Sequence, residues 1–310
     1  MTVPSIFASG LTKTHGPHTV LNQVSFSVSP GSVYALVGSN GAGKTTLIQL
    51  LMNLQKATAG TAQLLGTPSE QVRGSFLKQV GYISENQEMP ESMTVVRYFS
   101  YLKSFYPAWD SDLERQLLRE FSLPGDRKLR HLSRGMRMKV AFVGALSYRP
   151  PLLILDEPFS GLDPLVRDEL VQGLLDRIGE STIYLSSHDL AEVETFATHV
   201  GHLESGNLVF SDEIDTLHGR FRGVEFHTST DRPLPVGLPK TWLEVERSGI
   251  IVRYKHSAFK DAEDSMAEIH RLFPDASSST FSPLSLRTIF LAHARTAREV
   301  RNEQNTGETQ

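Results

Sequence analysis

Cysteine is missing from this sequence: none of its 310 residues is a Cys. Disulfide bonds and thiolate chemistry are therefore excluded, which fits a reducing compartment such as the cytosol. Long apolar runs are also missing, and no stretch approaches the roughly 18 residues that span a bilayer. The N-terminal MTVPSIFASG has no basic segment followed by an apolar one, so we do not expect a secretory signal. If the protein works at a membrane, we expect it to do so through a partner.

A surplus of positive charge is missing as well, because 35 acidic residues outnumber 31 basic ones and give a net charge of −4. General nucleic-acid binding is therefore not favoured. One basic stretch remains, with six Lys or Arg and no acid between residues 127 and 139. A basic helix indicates a polyanion or an anionic membrane surface. The letters LSRG at 132–135 also suggest a turn that opens a helix, where backbone N–H groups bind phosphate.

The remaining composition, with 39% hydrophobic and 21% charged residues, supports a folded core, and the length favours two domains. Three short apolar runs, at 33–37, 152–155 and 183–185, are typical of strands buried on both faces of a parallel sheet. The segment after the first run has the apolar periodicity of a helix. Ser111 with Glu114 predicts a capping box at the start of another helix.

Past about residue 220 the pattern changes to short strands and amphipathic helices. The predicted strands lie at 221–229, 241–249 and 250–256, and the predicted helices at 261–273 and 283–294. We therefore predict a small α+β accessory domain over 221–296, after a first domain over 1–220. The polar end, 297–310, is expected to be disordered.

Residues 38–45 read GSNGAGKT and satisfy the pattern G-x-x-x-x-G-K-[ST] between a predicted strand and a predicted helix. Its glycines allow backbone N–H groups to approach phosphate oxygens. Lys44 would reach the β- and γ-phosphates, and the Thr45 hydroxyl would bind Mg²⁺. The alternative is an ordinary glycine-rich turn, which the strand–loop–helix context disfavours. This loop predicts a nucleoside triphosphate site but does not identify the reaction.

The other two apolar runs also end in polar residues, Asp156 and Glu157 after one and His188 after the other. In an open α/β sheet, ligands bind beyond the carboxyl ends of the strands. We therefore expect Asp156 beside the phosphate loop, where it can hold Mg²⁺. Glu157 would point elsewhere and could take a proton from an attacking water. His188 could bond a γ-phosphate or that water, although a lone His is more often structural.

Taken together, these segments resemble the ATP-binding subunit of an ABC transporter of the bacterial export type. GSNGAGKT looks like its Walker A motif, LSRGM its signature, LLILDEP its Walker B motif, SGLD its D-loop and His188 its switch histidine. The resemblance covers roughly residues 5 to 220. It implies an α/β fold of the P-loop NTPase type, with a mainly parallel core sheet and an antiparallel β subdomain. A helical subdomain at about 86–150 and a small C-terminal α+β extension complete it.

The resemblance also implies roles for single residues. Glu157 would be the general base, and His188 would stabilise the γ-phosphate. Ser133 and Gly135 would contact the ATP held by a second subunit, so hydrolysis would need a head-to-tail dimer with Asp163 at its interface. The phosphates and Mg²⁺ would be bound by Gly38, Ser39, Asn40, Gly41, Ala42, Gly43, Lys44, Thr45 and Thr46, with Asp156 supporting the metal.

Three positions depart from the family's usual pattern. His15, in KTHG, stands where an aromatic residue commonly stacks on adenine, and imidazole offers a smaller surface. Glu85, after VGYIS, stands at the Q-loop position, with Gln87 two residues on. A carboxylate there can ligate Mg²⁺ but cannot donate as an amide does. The signature reads LSRGM where LSGGQ is commoner, and we expect a competent site because its Ser and second Gly are kept.

The partners implied by the resemblance are a second ATP-binding subunit, with a homodimer favoured, and a separate transmembrane permease that exports a small molecule or peptide. ATP and Mg²⁺ would be bound, and the chain would lie in the cytoplasm on the inner face of the membrane. Six aromatic residues between 98 and 109 could form a helical core or line the groove that accepts a permease helix.

The rival hypothesis is an ABC ATPase that acts on nucleic acid or the ribosome, and the basic stretch at 127–139 is its main support. Such proteins usually carry two cassettes or a long coiled coil. This chain has one cassette and no sustained heptads, so no nucleic-acid partner is expected.

Overall fold

The computed structural model describes residues 2–177 and 179–292. The chain divides into two units between Ser211 and Asp212, whereas the sequence pattern changes near residue 220. The helix at Ile214–Arg220 therefore belongs to the second unit. The predicted disordered end, 297–310, lies outside the described residues. Among the described residues, none of the helices combines the length and the apolar character that a transmembrane span needs.

The first unit opens with an antiparallel sheet made of β1 (Ile6–His15), β2 (His18–Val28), β4 (Ala59–Leu64) and β5 (Thr67–Pro68). The strand order is β2-β1-β4-β5. The hairpin of β1 and β2 runs from the pair Ile6–Val28 to the pair His15–His18 at its tip. This sheet confirms the antiparallel subdomain expected from the sequence.

The core sheet consists of β3 (Val33–Val37), β6 (Val80–Ile83), β7 (Leu152–Asp156), β8 (Thr182–Ser187), β9 (His199–Glu204) and β10 (Asn207–Glu213). Their order is β10-β9-β3-β8-β7-β6, and the pairs from β9 to β6 are all parallel. Every residue of β3, β7 and β8 is buried, which explains why their apolar runs show no alternation. The predicted parallel core is confirmed, and the loops after these three strands leave the sheet at the same edge.

Aromatic rings join the two sheets of the first unit. Phe26 of β2 lies 5.4 Å from Tyr34 of β3, measured between ring centroids. Tyr34 in turn stacks on Tyr184 of β8 at 5.7 Å with an interplanar angle of 4°. All three rings are buried, and such pairs contribute about 0.5–1.5 kcal/mol each beyond their burial. The stack fixes β2 against the middle of the core sheet.

The described helices of the first unit are α1 (Lys44–Leu51), α2 (Val95–Lys103), α3 (Ser111–Glu120), α4 (Arg134–Leu146), α5 (Pro164–Leu175) and α6 (Leu190–Glu194). The predicted capping box at Ser111 is wrong, because Asp110 caps α3 instead. Its Oδ1 accepts two backbone N–H groups of the first turn, at 2.9 and 3.0 Å. Glu114 accepts a bond from Trp109 Nε1 at 2.7 Å rather than closing the box.

The second unit contains α7 (Ile214–Arg220), β11 (Arg222–His227), β12 (Trp242–Ser248), β13 (Ile251–His256), α8 (Ala262–Leu272) and β14 (Ser277–Pro283), with a helical segment at 286–292. Its antiparallel sheet has the order β12-β13-β11-β14. Trp242 stacks on Tyr254 at 3.9 Å, and Phe226 and Phe273 complete the buried core. The unit is the expected α+β extension, although β14 had not been predicted.

Candidate functional site

Glycine shapes the turn between β3 and α1. Gly43 has a φ of 107°, in the left-handed region that L side chains rarely adopt. A Cβ there would lie 2.8 Å from Leu21 Cδ2 and 3.0 Å from Val20 O, both on β2. At Gly38 a Cβ would lie 2.3 Å from Leu203 O. Both positions therefore need glycine, and β2 is packed directly against the phosphate loop.

Lys44 begins α1, and its side chain folds back into the turn. Its Nζ donates to Gly38 O at 2.6 Å and to Ser39 O at 3.2 Å, and it lies 3.0 Å from Glu157 Oε1. Ala42 is buried behind the turn, with its N–H bonded to Ser39 O at 3.1 Å. Lys44 is only 6% exposed, and a buried ammonium needs such partners. The cation is thus held where phosphate oxygens could reach it.

The two acids that end β7 take different partners. Asp156 is 3% exposed, and its Oδ1 accepts the Ser186 hydroxyl at 2.7 Å. The same hydroxyl accepts the backbone N–H of Glu157 at 2.9 Å. Glu157 has a φ of 49°, an uncommon conformation that turns the chain sharply after the strand. As a result Asp156 contacts β8, whereas Glu157 contacts Lys44.

His188 follows β8 and completes a contact between three strand ends. Its Nδ1 lies 2.8 Å from Glu157 Oε2. Because an ionised carboxylate can only accept, Nδ1 carries the proton in this pair, which leaves Nε2 for another group. Lys44, Glu157 and His188, which follow β3, β7 and β8, are therefore brought together as the sequence predicted.

These side chains line a cleft of about 500 Å³. Its lining consists of Val20, Asn40, Gly41, Gly43, Lys44, Thr45, Thr46, Glu85, Glu157, Ser160 and His188. Val20 also lines the cleft, although no sequence motif marks it. It reaches the cleft because β2 of the antiparallel sheet packs against the phosphate loop. His15 is exposed at the hairpin tip and is not part of the described lining. Its stacking on adenine stays a prediction.

The Q-loop position places a carboxylate at the cleft. Glu85 is half-buried and lines the cleft, two residues beyond the end of β6. Gln87 is not part of the described cleft lining, and its amide oxygen accepts from Ser84 N at 3.1 Å and from Ser84 Oγ at 3.2 Å. Glu85 can therefore offer the cleft an acceptor or a metal ligand, but no amide donor.

Two tyrosines lie close enough to Asp156 for its charge to affect them. Burial raises the pKa of Tyr184 well above its usual 10.0, and the charges of Tyr34 and Asp156 act in the same direction. Burial, followed by the charge of Asp156, also raises the pKa of Tyr82. Both phenols therefore stay neutral beside the acidic end of β7 and do not supply protons near neutral pH.

The LSRGM segment opens α4. Ser133 is exposed and caps the helix, with its Oγ accepting the N–H of Met136 at 3.2 Å. The turn and helix start predicted from these letters are present. Gly135 packs on α5, since a Cβ there would lie 3.1 Å from Val166 Cγ1. The signature helix is therefore packed closely against the helix that follows the D-loop.

The D-loop leads into α5, which Asp163 caps by accepting the N–H of Val166 at 3.1 Å. Arg134 covers the loop, because a Cβ at Gly161 would lie 2.9 Å from its Nη1. Ser133 and Asp163 are both exposed, and neither belongs to the described lining of the 500 Å³ cleft. A role for Asp163 at a subunit interface stays a prediction.

The basic stretch at 127–139 does not form one free cationic face. Lys139 is 8% exposed and makes an ion pair with Glu169 on α5. Arg137 Nη2 donates to Arg130 O at 3.3 Å. Part of this positive charge therefore pairs α4 with α5 and with the segment before α4.

The chain is similar to known proteins in sequence and fold. The family profile described as ABC transporter matches residues 21–160. The bacitracin transport ATP-binding protein BcrA of Enterococcus faecalis is 32% identical over 230 residues, which cover 72% of this chain and 74% of that protein. The chain belongs to the ABC transporter family. This ABC chain is also 25% identical to the ABC transporter ATP-binding protein YtrB of Bacillus subtilis (strain 168) over 284 residues, or 91% of this chain and 95% of that protein.

A solved structure described as the ATP binding subunit of an ABC transporter matches the ABC chain with a TM-score of 0.63 and 30% identity. The match covers 69% of this chain and 91% of that one. The predicted P-loop NTPase fold of the ABC ATPase type is therefore confirmed. Family and fold together make this chain an ATP-binding subunit that hydrolyses ATP.

Proposed function

We propose that this chain powers a separate transmembrane permease that exports a small molecule or peptide, through ATP binding, head-to-tail dimerisation and hydrolysis. The observation that carries the proposal is the meeting of Lys44, Glu157 and His188 in one cleft, while Ser133 lies exposed outside it. The cargo class and the outward direction rest on likeness to BcrA, whose name gives it a role in bacitracin transport. The chain then works at the cytoplasmic face of the membrane, held there by the permease.

The contacts of Glu157 support its role as general base. When ATP binds, its phosphate oxygens compete with Glu157 for Lys44, because they need the same ammonium. Once Lys44 contacts phosphate, a Glu157 oxygen is free to accept a proton from the attacking water. His188 contacts Glu157 through Nδ1, so its Nε2 is left to bond a γ-phosphate oxygen or the attacking water. Lys44 and the loop N–H groups stabilise the charge that develops on the phosphate.

The oxygen donors at the cleft fit Mg²⁺. Thr45 offers a hydroxyl, Glu85 a carboxylate in the lining, and Asp156 a carboxylate at the end of β7. Within 2–177 and 179–292 there is no group of three or more His, Cys, Asp and Glu side chains that could hold a metal alone. Mg²⁺ suits such a site, because one or two carboxylates and substrate phosphates usually bind it. Held by Thr45 and Asp156, with Glu85 as a further ligand, Mg²⁺ would neutralise phosphate charge.

The exposed start of α4 supports a site shared between two subunits. Helix N-termini bind phosphate oxygens through free N–H groups, and Ser133 and Gly135 sit at this one. A two-fold axis would place α4 of one subunit over the Lys44 cleft of the other, with Asp163 at the interface. We favour a homodimer, because one chain carries both halves of the site, including Glu157.

The aromatic residues at 98–109 divide into a core and a groove. Tyr98, Phe99 and Trp109 are buried, and Tyr98 also lines a cavity of about 310 Å³ together with Tyr106. Tyr106 stacks on Tyr148 at 4.0 Å. The cavity is also lined by Met52, Leu54, Leu77 and Leu102. We infer that this apolar groove accepts a helix of the permease, as helix-in-groove contacts commonly do.

The experiment is purification of the tagged chain from detergent-solubilised membranes of its own host. A multi-spanning membrane protein should co-purify, and Tyr106→Ala should weaken its retention. Tyr101→Ala is the matched control, because Tyr101 is 48% exposed on α2 and its ring pairs with that of Phe105 instead. Co-purification of nucleic acid without a membrane protein would contradict the proposal and favour the rival hypothesis.

A further inference from the structure

A half-buried carboxylate holds α6, the helix that follows His188. Glu192 on α6 has a side chain that is only 12% exposed. Its Oε1 accepts from Arg167 Nη1 at 3.4 Å, and its Oε2 accepts the Ser187 hydroxyl at 3.3 Å. Burial raises the pKa of the carboxyl, as does the charge of Asp189, whereas Arg167 and Ser187 oppose the shift. Because even a partly buried charge is costly without a partner, Glu192 is stabilised by both contacts.

The Ser187 hydroxyl links this carboxylate to the chain on both sides of His188. Ser187 is 2% exposed and directly precedes the histidine. Its Oγ accepts the N–H of Asp189 at 3.0 Å, and its single proton is shared between Asp189 O at 3.2 Å and Glu192 Oε2 at 3.3 Å. One hydroxyl thus contacts Glu192 and brackets His188. The direction in which the imidazole points is therefore tied to the position of α6.

Arg167 carries the same link into the D-loop helix. The backbone N–H of Arg167 donates to the backbone carbonyl of Asp163 at 3.1 Å. Arg167 therefore lies one helical turn after Asp163, the D-loop residue that caps α5. Its Nε also lies 3.5 Å from Asp168 Oδ1, but that side chain is 71% exposed, where an ion pair contributes little. The better shielded carboxylate of Glu192, 12% exposed, is thus the partner that gives the Arg167 guanidinium its position.

We propose that Arg167 and Glu192 are positioning residues that couple the D-loop helix to His188. The inference rests on the proposed function, in which the second subunit docks at Asp163. When docking fixes the D-loop, α5 holds Arg167 in place, and the ion pair fixes α6 and Ser187. This holds His188 at its 2.8 Å contact with Glu157, the general base of the proposed function. The closed dimer positions the histidine through this chain of contacts, although neither Arg167 nor Glu192 belongs to the described lining of the cleft.

Steady-state hydrolysis and equilibrium ATP binding by the full chain with Glu192→Gln test the inference. Glutamine keeps the volume and an acceptor for Ser187, but it loses the ion pair. We expect kcat to fall by about 10-fold while the Kd for ATP stays within about twofold of wild type. In a His188→Ala background the same change should have no further effect, because Glu192 acts through His188. The matched control is Glu180→Gln, which removes an exposed ion pair with Arg149 and should leave turnover unchanged.

Wild-type turnover by Glu192→Gln would overturn the inference, as would an equal loss of turnover with and without His188. A purely structural role predicts a lower Tm with unchanged kcat per folded molecule, which also overturns it. If Glu192→Gln does not fold, Arg167→Gln, at a side chain that is 33% exposed, gives the same reading. Failure of the wild-type chain to dimerise with ATP would contradict the proposed function and this inference with it. Normal turnover by the Glu192 variant contradicts the inference alone.

Discussion

Replacing Glu157 with glutamine removes one carboxylate from the proposed ATP cleft and little else. The carboxylate lies 3.0 Å from Lys44 Nζ through Oε1 and 2.8 Å from His188 Nδ1 through Oε2. Glutamine keeps the volume and one acceptor oxygen. Lys44 also keeps its bonds to Gly38 O and Ser39 O. We therefore expect the cleft to keep its shape in the Glu157→Gln variant.

The geometry gives the size and sign of the two expected effects. At 3.0 Å the attraction between Lys44 and Glu157 is about 5.5 kcal/mol for an effective dielectric of about 20, before desolvation is subtracted. ATP must replace Glu157 as the partner of Lys44 when it binds. Desolvation of the two charges offsets most of the attraction, so only a small part of it opposes ATP binding. Its removal should therefore lower the Kd for ATP by up to about tenfold, or ~1.4 kcal/mol. Loss of the general base should lower kcat by about 100- to 10,000-fold.

Phosphate release and equilibrium ATP binding, measured on the same preparation, separate these effects. We expect Glu157→Gln to bind ATP at least as tightly as wild type, to turn over very slowly, and to accumulate as an ATP-bound dimer. Turnover at the wild-type rate would refute the assignment of Glu157 as the base. If ATP affinity fell by the same factor as turnover, Glu157 would be supporting binding instead of chemistry.

Two further substitutions test the packing of α4 on α5 and the capping of α3. Gly135→Val adds carbon atoms where a Cβ would already lie 3.1 Å from Val166 Cγ1, so urea unfolding should show a loss of about 1–3 kcal/mol. Asp110→Ala removes the cap of α3 and should lower the Tm at neutral pH. Bonds from the Leu113 N–H and then from Arg149 hold the pKa of Asp110 below 3.8, so its stabilisation is present above that value and is lost as the pH falls through the folded-state pKa. The difference in Tm between wild type and Asp110→Ala should narrow at acid pH, and a constant difference would refute this reasoning.

The phosphate loop and the acidic strand ends could be predicted because local rules determine them. Lys44, Glu157 and His188 each follow a strand whose apolar run shows no alternation, as burial on both faces requires. Parallel strands bring their carboxyl ends to one edge, so three segments distant in sequence had to meet there. The meeting of these residues thus follows from strand burial and parallel pairing alone. The order and spacing of the motifs were needed only to indicate the family.

Contacts made by packing between elements could not be predicted in the same way. Val20 reaches the cleft only because β2 packs on Gly43, and no motif records that contact. The cap of α3 was placed one residue too late, because Asp110 and Ser111 are both good caps and tertiary contacts decide between them. Strand β14 has no apolar alternation and forms because it pairs with β11 at the edge of its sheet. The link from Arg167 to Glu192 has no sequence signature either.

The central claim is that two chains share each ATP, and Ser133→Asp tests it most directly. Aspartate caps a helix as well as serine does, so α4 should keep its start at the position where Ser133 now accepts the Met136 N–H. Its charge, however, would repel the γ-phosphate of ATP bound to the other subunit, and Ser133→Asn separates that charge from the added size. We predict that the isolated Ser133→Asp chain binds ATP with the wild-type Kd, while ATP-dependent dimerisation and hydrolysis are both lost. Loss of ATP binding by the isolated chain, or hydrolysis at the wild-type rate, would contradict the shared site.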